Sequence, residues 1–137
     1  MAEIKISGGL KVKTLQAAFI KSFPFLCPTL QKSNSLSVAG PRLDNEYTIS
    51  KCANLTNGEW KPVKVAEFSL SANMLVGTFE KRFLETFGVR CEVVFRKSGK
   101  HFKTGADLDK LTLSGANKKA AEDGAEPINL SDIAAYA

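Results

Sequence analysis

Two stretches of the sequence decide the fold: KVKTLQAAFIKSF at residues 11–23 and LVGTFEKRFLETF at residues 75–87. Each places apolar side chains at positions i, i+3, i+7 and i+11, which is one stripe along an amphipathic helix. The two stripes consist of Val12, Leu15, Phe19 and Phe23, and of Val76, Phe79, Phe83 and Phe87. Pro24 and Gly88 follow them and end both predicted helices, because proline cannot continue a helix and glycine readily adopts the left-handed cap.

The two helices belong to an internal repeat. Residues 3–30 align with residues 67–94 without a gap; seven of the 28 positions are identical and seven more exchange one apolar residue for another. The difference in residue number between equivalent positions, such as Glu3 and Glu67, is constant, and we call it the repeat offset. The matches fall mainly at positions expected in a core, where close packing restricts substitution. We therefore interpret the chain as a tandem duplication.

Each unit, of about 64 residues, is predicted to have the order β-α-β-β-α. The segments at 3–7 and 67–71 alternate polar and apolar residues, as half-buried strands do. VRCEVVF (89–95) is predicted as a strand with Arg90 and Glu92 on its polar face, and Ser98–Gly99 as the turn of a hairpin with residues 100–104. In the first unit, Pro28 predicts an edge strand and residues 35–40 its less regular return. Thr48 and Thr112 are expected to cap the closing helices.

The units are expected to share one compact α+β domain with pseudo-two-fold symmetry and antiparallel sheet, because one unit alone has too little surface to bury. Residues 1–64 form the first unit, 65–124 the second and 125–137 a C-terminal tail. Trp60 is expected to pack over the junction, with stacking on a ligand as the alternative role. Two interpretations of the tail stay open: disorder, or docking as a strand through its apolar residues Ile128, Leu130, Ile133 and Tyr136.

The helix pattern and the later RKSG segment resemble those of a set of small bacterial proteins of unknown function. The matching residues are Val12, Leu15, Phe19, Phe23, Pro24 and Leu26, then Phe87, Gly88, Val93 and residues 96–99. The resemblance extends over residues 3–118 and implies a prokaryotic, intracellular fold without an assigned activity. The helix also looks like that of ubiquitin-like β-grasp domains, but those precede it with a two-stranded hairpin and only one strand fits here.

Composition favours a cytoplasmic protein that uses no metal or cofactor. The 137 residues are 44% hydrophobic and 24% charged, an ordinary globular balance. No apolar run approaches the ~20 residues of a membrane span, and the N-terminus lacks the apolar stretch of a signal peptide. Three cysteines without a CxxC pair and a single histidine argue against a disulfide framework or a zinc site.

No catalytic residues are predicted. His101 is the only histidine and lies among basic residues, and the expected role of Cys27, Cys52 and Cys91 is that of small buried hydrophobes. The carboxylate pairs are expected to be structural: Asp107 and Asp109 form a polar turn before Thr112, and Glu122 and Asp123 a solvated helix end.

The best candidate site is the basic hairpin, residues 96–103. Its candidate phosphate-binding or acidic-partner-binding residues are Arg96, Lys97, Lys100, His101, Phe102 and Lys103, which we expect to cluster near one turn. Lysine and arginine side chains bind the phosphates of nucleic acids, and an exposed aromatic ring stacks on a nucleic-acid base. Two plainer interpretations remain: a solvated turn with Phe102 facing the core, and neutralisation of the acidic stretch at 122–132.

Two functions compete. The first is a non-enzymatic protein–protein interaction module that uses a sheet edge near Pro28 or the groove between the units. The alternative is a nucleic-acid-binding protein that uses the basic hairpin, an interpretation that the net charge of +5 permits. Four further lysines would join that surface: Lys5, Lys11, Lys13 and Lys21.

Overall fold

The computed structural model describes residues 4–38, 40–58 and 67–129. Trp60 and the tail residues Leu130, Ile133 and Tyr136 lie outside these ranges, so their packing stays a prediction. In chain order the elements are β1 (Ile4–Ser7), α1 (Val12–Ser22), β2 (Cys27–Gln31), α2 (Ile49–Asn57), β3 (Glu67–Leu70), α3 (Val76–Phe87), β4 (Arg90–Lys97), β5 (Lys100–Lys103), α4 (Ala106–Asp109) and α5 (Leu113–Glu122).

The strands form two antiparallel sheets, which confirms the predicted α+β class. β1 pairs with β3, and β2, β4 and β5 form a second sheet with β4 in the centre. In the first sheet Ile4 lies opposite Leu70. In the second, Cys27 lies opposite Val94 and Leu30 opposite Cys91. Adding the repeat offset to Cys27 gives Cys91, and subtracting it from Val94 gives Leu30. The pair of Cys27 and Val94 is therefore equivalent, under the repeat, to the pair of Cys91 and Leu30, and β2 and β4 pair in the same register from either half.

Backbone hydrogen bonds around the two long helices also recur at the repeat offset. The Val12 N–H donates to the Tyr47 carbonyl at 2.9 Å, and the Val76 N–H donates to the Leu111 carbonyl at the same distance. The equivalent bonds that hold the starts of α2 and α5 are Ile49 to Leu10, Ser50 to Gly8, Leu113 to Met74 and Ser114 to Ala72. Each long helix is therefore tied to the start of its shorter partner by the same local pattern.

The phenylalanine stripes of α1 and α3 form the centre of the core, as their periodicity predicts. Phe19, Phe23, Phe79, Phe83 and Phe87 are fully buried. Neighbouring rings touch within each stripe, with centroids 5.0 Å apart for Phe19 and Phe23 and 4.8 Å apart for Phe83 and Phe87. The two stripes also contact each other, since the ring centroids of Phe19 on α1 and Phe79 on α3 lie 5.7 Å apart.

The predicted helix ends are confirmed. Gly88 has φ 72° and caps α3 in the left-handed conformation, and α1 ends at Ser22, two residues before Pro24. The hydroxyl oxygens of Thr48 and Thr112 accept hydrogen bonds from the N–H groups of Lys51 and Gly115. Each bond satisfies a backbone donor that the first helical turn leaves open.

The predicted return strand in the first half is wrong: residues 35–38 and 40 form no strand. The serines there bond to the nearby backbone, an alternative that competes with strand pairing. The Ser33 hydroxyl donates to the Val38 carbonyl at 2.6 Å, and the Ser35 N–H donates to the Ser33 hydroxyl at 3.2 Å. We call residues 33–38 the strap.

The sheet edge near Pro28 is not exposed. Every residue of β2 is buried. β2 is an outer strand of its sheet, as Pro28 predicts, but the Leu43 N–H donates to the Leu30 carbonyl and the Gln16 side chain donates to the Pro28 carbonyl. The segment after the strap therefore covers this edge.

Candidate functional site

The basic hairpin has the predicted turn. Ser98 and Gly99 have φ values of 54° and 76°, the positive values that two-residue hairpin turns of the mirrored type require. Lys97 and Lys100 lie opposite each other next to the turn. The hairpin brings all six candidate residues onto two adjacent strands.

The strand register divides the six candidates between two faces of the hairpin. Phe95 lies opposite Phe102, and Arg96 lies opposite His101. Because successive side chains of a strand point to opposite faces, Lys97, Lys100 and Phe102 share one face, and Arg96, His101 and Lys103 share the other. The single cluster expected from the sequence is therefore split by the pleat of the sheet.

Phe102 lies beside an apolar cavity. Its side chain is 44% exposed, and its ring centroid is 5.8 Å from that of Phe95. The cavity encloses about 300 Å³ and is lined by Phe95, Lys97, Phe102, Leu108, Ala120, Asp123 and Ala125. Phe102 is thus neither in the core nor in a bare solvated turn.

The acidic stretch contacts the hairpin at its backbone. The Glu126 N–H donates to the Arg96 carbonyl at 2.8 Å, and the Glu126 carboxylate accepts a hydrogen bond from the Gly99 N–H at 2.9 Å. Asp123 pairs instead with Lys119 on α5 at 3.5 Å. Ile128 is buried against Cys27 and Val94, so the described part of the tail is docked.

Two of the four lysines assigned to a nucleic-acid surface have acidic partners in this chain. Lys5 lies 3.6 Å from Glu67, and Lys13 lies 2.9 Å from Glu46. Lys11 and Lys21 are exposed at the two ends of α1. Pairing of Lys5 and Lys13 reduces the positive charge that the first half offers to phosphates.

The three cysteines are buried, as predicted. Burial raises the pKa of the Cys27 and Cys91 thiols well above the ordinary value of 9.0 and raises the pKa of Cys52 to about 12. A thiol is nucleophilic only as the thiolate, so these side chains are unsuited to covalent catalysis.

A second polar site, which was not predicted from the sequence, lies between α3, α4 and β4. Arg90 and Glu92 form an ion pair of 3.0 Å while being only 7% and 8% exposed. The Arg90 guanidinium also donates to the carbonyls of Ser35 and Leu36, so it fastens the strap to β4. Together with Glu80 and Asp109, this pair faces a cavity of about 230 Å³, which we call the carboxyl cavity. Its remaining lining residues are Leu36, Gly77, Cys91, Lys103 and Thr104.

Glu80 has the most perturbed carboxyl group of the site. Burial raises the pKa of Glu80 to about 7, and the negative charges of Asp109 and Glu92 add to this effect. A hydrogen bond from the Val93 N–H at 2.9 Å and the charge of Arg90 oppose it. Glu80 is therefore expected to titrate near neutral pH.

A comparison of the two halves of the sequence could have found this site. Applied to Gln16 and Asn45, the repeat offset leads to Glu80 and Asp109. The first pair is neutral: the Asn45 side chain donates to the Gln16 carbonyl oxygen at 3.1 Å. The chain therefore places two acids in the second half where it places two amides in the first.

Two kinds of feature are absent from the described ranges. Within residues 4–38, 40–58 and 67–129, no three His, Cys, Asp or Glu side chains are arranged to hold a metal ion. In the same ranges, no helix is long and apolar enough to cross a membrane. Comparison with protein-family models, with curated protein sequences and with solved structures finds no match for this chain.

Proposed function

We propose that this protein is a non-enzymatic module that binds a partner protein through the Phe102 surface, defined as Lys97, Lys100 and Phe102 with the apolar cavity beside them. The observation that carries the proposal is the half-exposed ring of Phe102 next to an apolar cavity of about 300 Å³. Aromatic side chains in such positions are the usual energetic centres of protein interfaces.

The surface favours a partner segment with an apolar side chain flanked by acidic ones. The cavity lining of Phe95, Leu108 and Ala120 favours an aliphatic or aromatic side chain. Lys97 and Lys100 are exposed beside it, so acidic neighbours in the partner would gain complementary charge.

The edge of β5 offers the partner a backbone to pair with. β5 is an outer strand of the described sheet, and three of its four residues are exposed. An extended peptide can add to such an edge through main-chain hydrogen bonds while one of its side chains enters a pocket.

Selection from a peptide-display library tests the proposal. The full chain should select peptides that have an apolar anchor between acidic residues. Phe102→Ser should weaken binding of the selected peptide by at least about tenfold, since one buried aromatic anchor contributes on the order of 2 kcal/mol. Leu55→Ser is the matched control, because Leu55 on α2 is 42% exposed, close to the 44% of Phe102.

Two results would overturn the proposal. One is a selection that yields no peptide above background. The other is a peptide that binds Phe102→Ser and Leu55→Ser equally well.

Nucleic-acid binding is a second candidate, supported by the position of two lysines and an exposed phenylalanine on one face of the hairpin. A fluorescent single-stranded oligonucleotide at low salt tests it by anisotropy. Lys97→Ala/Lys100→Ala should weaken binding and lower the salt dependence, whereas Lys81→Ala/Lys118→Ala, which removes the same charge elsewhere, should do so less. No binding at low salt removes this candidate.

We also propose that the chain is a tandem duplication, residues 1–64 and 65–124, with pseudo-two-fold symmetry. The hydrogen bonds that recur at the repeat offset and the exchangeable registers of both sheets support it. The two halves differ at the Phe102 surface and the carboxyl cavity, which is where we expect function to reside. Equal energetic effects of equivalent substitutions, described below for Thr48 and Thr112, test the symmetry.

A further inference from the structure

We propose that the Glu80 carboxyl group, which lies with Asp109 and Glu92 at the carboxyl cavity, holds a proton at neutral pH, and that this proton makes the packing of α3 and α4 on β4 sensitive to pH. The proposal does not depend on the Phe102 surface. It concerns a partly buried glutamate at the carboxyl cavity, which is lined by other residues than the Phe102 surface.

The Glu80 side chain accepts a backbone hydrogen bond from β4 that a neighbouring strand would otherwise accept. The Thr104 N–H donates to the Val93 carbonyl at 3.0 Å, one residue beyond the end of β5. The Val93 N–H donates to the Glu80 carboxyl group, so the α3 side chain completes the hydrogen bonding of β4 where β5 stops. A change in the charge of Glu80 therefore directly affects the contact between α3 and β4.

Asp109 is held near Glu80 by the close approach of α4 to α3. A Cβ atom at Gly77 would lie 3.3 Å from the Asp109 carbonyl oxygen and 3.7 Å from its Cβ, so the backbone of α3 has little room beside α4. The Asp109 carboxyl group accepts a hydrogen bond of 2.7 Å from the Thr104 hydroxyl. Both acids line the carboxyl cavity.

The other charged groups around Glu80 do not offset the effects that favour its protonated form. β4 contributes Glu92, Arg90 and the neutral thiol of Cys91, the end of β5 contributes Lys103, and the strap contributes only Leu36. Arg90 is paired with Glu92 and with strap carbonyls. Lys103 is exposed, so water screens its charge. The burial of the Glu80 carboxyl group and the negative charges of Asp109 and Glu92 therefore favour its protonated form.

The first half of the chain supplies the neutral comparison. Gln16 and Asn45 hydrogen-bond to each other, and the Gln16 amide donates to the Pro28 carbonyl at 2.9 Å. These amides carry no charge at any pH near neutrality. The equivalent contact in the first half is therefore expected to be insensitive to pH.

The direction of the effect follows from proton binding. The folded chain keeps a proton on Glu80 up to about pH 7, whereas the unfolded chain releases it near the ordinary value of 4.5. Between these values the folded state binds more protons, so stability is highest at the acidic end and falls as the pH rises. Above about pH 7 both states are ionised and the loss is complete.

Urea unfolding between pH 5 and pH 8 tests the proposal. The unfolding equilibrium constant of the wild type, relative to that of Glu80→Gln, should rise by at least about tenfold over this range, as expected from a folded-state pKa raised by more than a unit. Glu85→Gln is the matched control, because Glu85 is an exposed glutamate on the same helix. It should retain the wild-type profile.

Two further measurements keep the test decisive if Glu80→Gln does not fold. Carbon NMR should show the Glu80 carboxyl group titrating near neutral pH in the wild type. Asp109→Asn removes one acid, so the Glu80 titration should move to lower pH. A Glu80 titration near 4.5, or identical pH profiles for wild type and Glu80→Gln, would overturn the proposed proton on Glu80.

Discussion

The ring centroids of Phe19 and Phe79 lie 5.7 Å apart, with their planes tilted by 44°. Phe19 belongs to α1 and Phe79 to α3, so this contact joins the two helices whose sequences repeat. Both rings are fully buried. One aromatic pair therefore connects the cores of the two halves of the chain.

Truncation of either ring should destabilise the protein strongly. We expect Phe19→Ala or Phe79→Ala to lower the free energy of unfolding by about 3–5 kcal/mol, because each leaves a cavity in a packed core. Urea unfolding of both single variants and the double variant should give a coupling energy of about 0.5–1.5 kcal/mol. Phe102→Ala, which removes a half-exposed ring, should change stability by no more than about 1 kcal/mol. A similar loss in all three single variants would contradict the assignment of the core.

The two threonine caps should be energetically equivalent. Thr48→Ala and Thr112→Ala each remove a side-chain acceptor for a backbone N–H, at distances of 3.1 and 3.0 Å, and should each lower stability by about 1 kcal/mol. Ser114→Ala is the control, since the Ser114 side chain is exposed on α5. Thermal and urea unfolding measure all three. Costs that differ by more than about 1 kcal/mol would argue against equivalent roles for α2 and α5.

Substitution by alanine should destabilise the protein at Gly88 but not at Gly9. Gly88 has φ 72°, and an alanine there is expected to lower stability by about 1–2 kcal/mol because its Cβ is strained in this conformation. Gly9 has an ordinary φ, and a Cβ atom added there would meet open space, so Gly9→Ala should be neutral or stabilise by up to about 1 kcal/mol. Equal melting temperatures for the two variants would contradict the helix cap.

The native cysteines should react slowly with a thiol-exchange reagent at pH 8. Burial raises the pKa of Cys52 to about 12 and that of the other two thiols further, so little thiolate is present and access is restricted. Three thiols should react promptly in urea. Lys100→Cys, at an exposed position of the hairpin, provides a fast-reacting reference in the folded protein. Rapid native reaction of a cysteine in the wild type would show that its surroundings open.

Much of the fold could be predicted because the relevant signals are local. Apolar spacing located α1 and α3, Thr48 and Thr112 located the starts of α2 and α5, and Ser98–Gly99 located the hairpin turn. Helical periodicity, capping and turn geometry each involve residues within a few positions of one another. Local rules therefore suffice for these elements.

The carboxyl cavity could not be predicted in the same way. Alternation along β4 put Arg90 and Glu92 on a polar face, but both are buried. The strap covers Arg90, because its carbonyls accept hydrogen bonds from Arg90 across 55 and 54 positions of sequence, and Glu92 is paired with Arg90. The sequence pattern predicted a strand at residues 35–40 because it could not show the contacts that compete with strand pairing. In the structure, serine hydroxyls and Arg90 form hydrogen bonds with backbone groups that a strand would need for pairing.

The sequence by itself determined the long helices, their ends, the repeat offset and the buried phenylalanine stripes, since these depend on backbone geometry and on which faces are apolar. Only the tertiary structure decided which polar side chains meet. It divided the basic hairpin between two faces, covered the edge at Pro28, and brought Glu80 and Asp109 into one cavity. Those outcomes depend on strand register and on contacts between distant segments, and burial gives a charged side chain its unusual chemistry only after such contacts have formed.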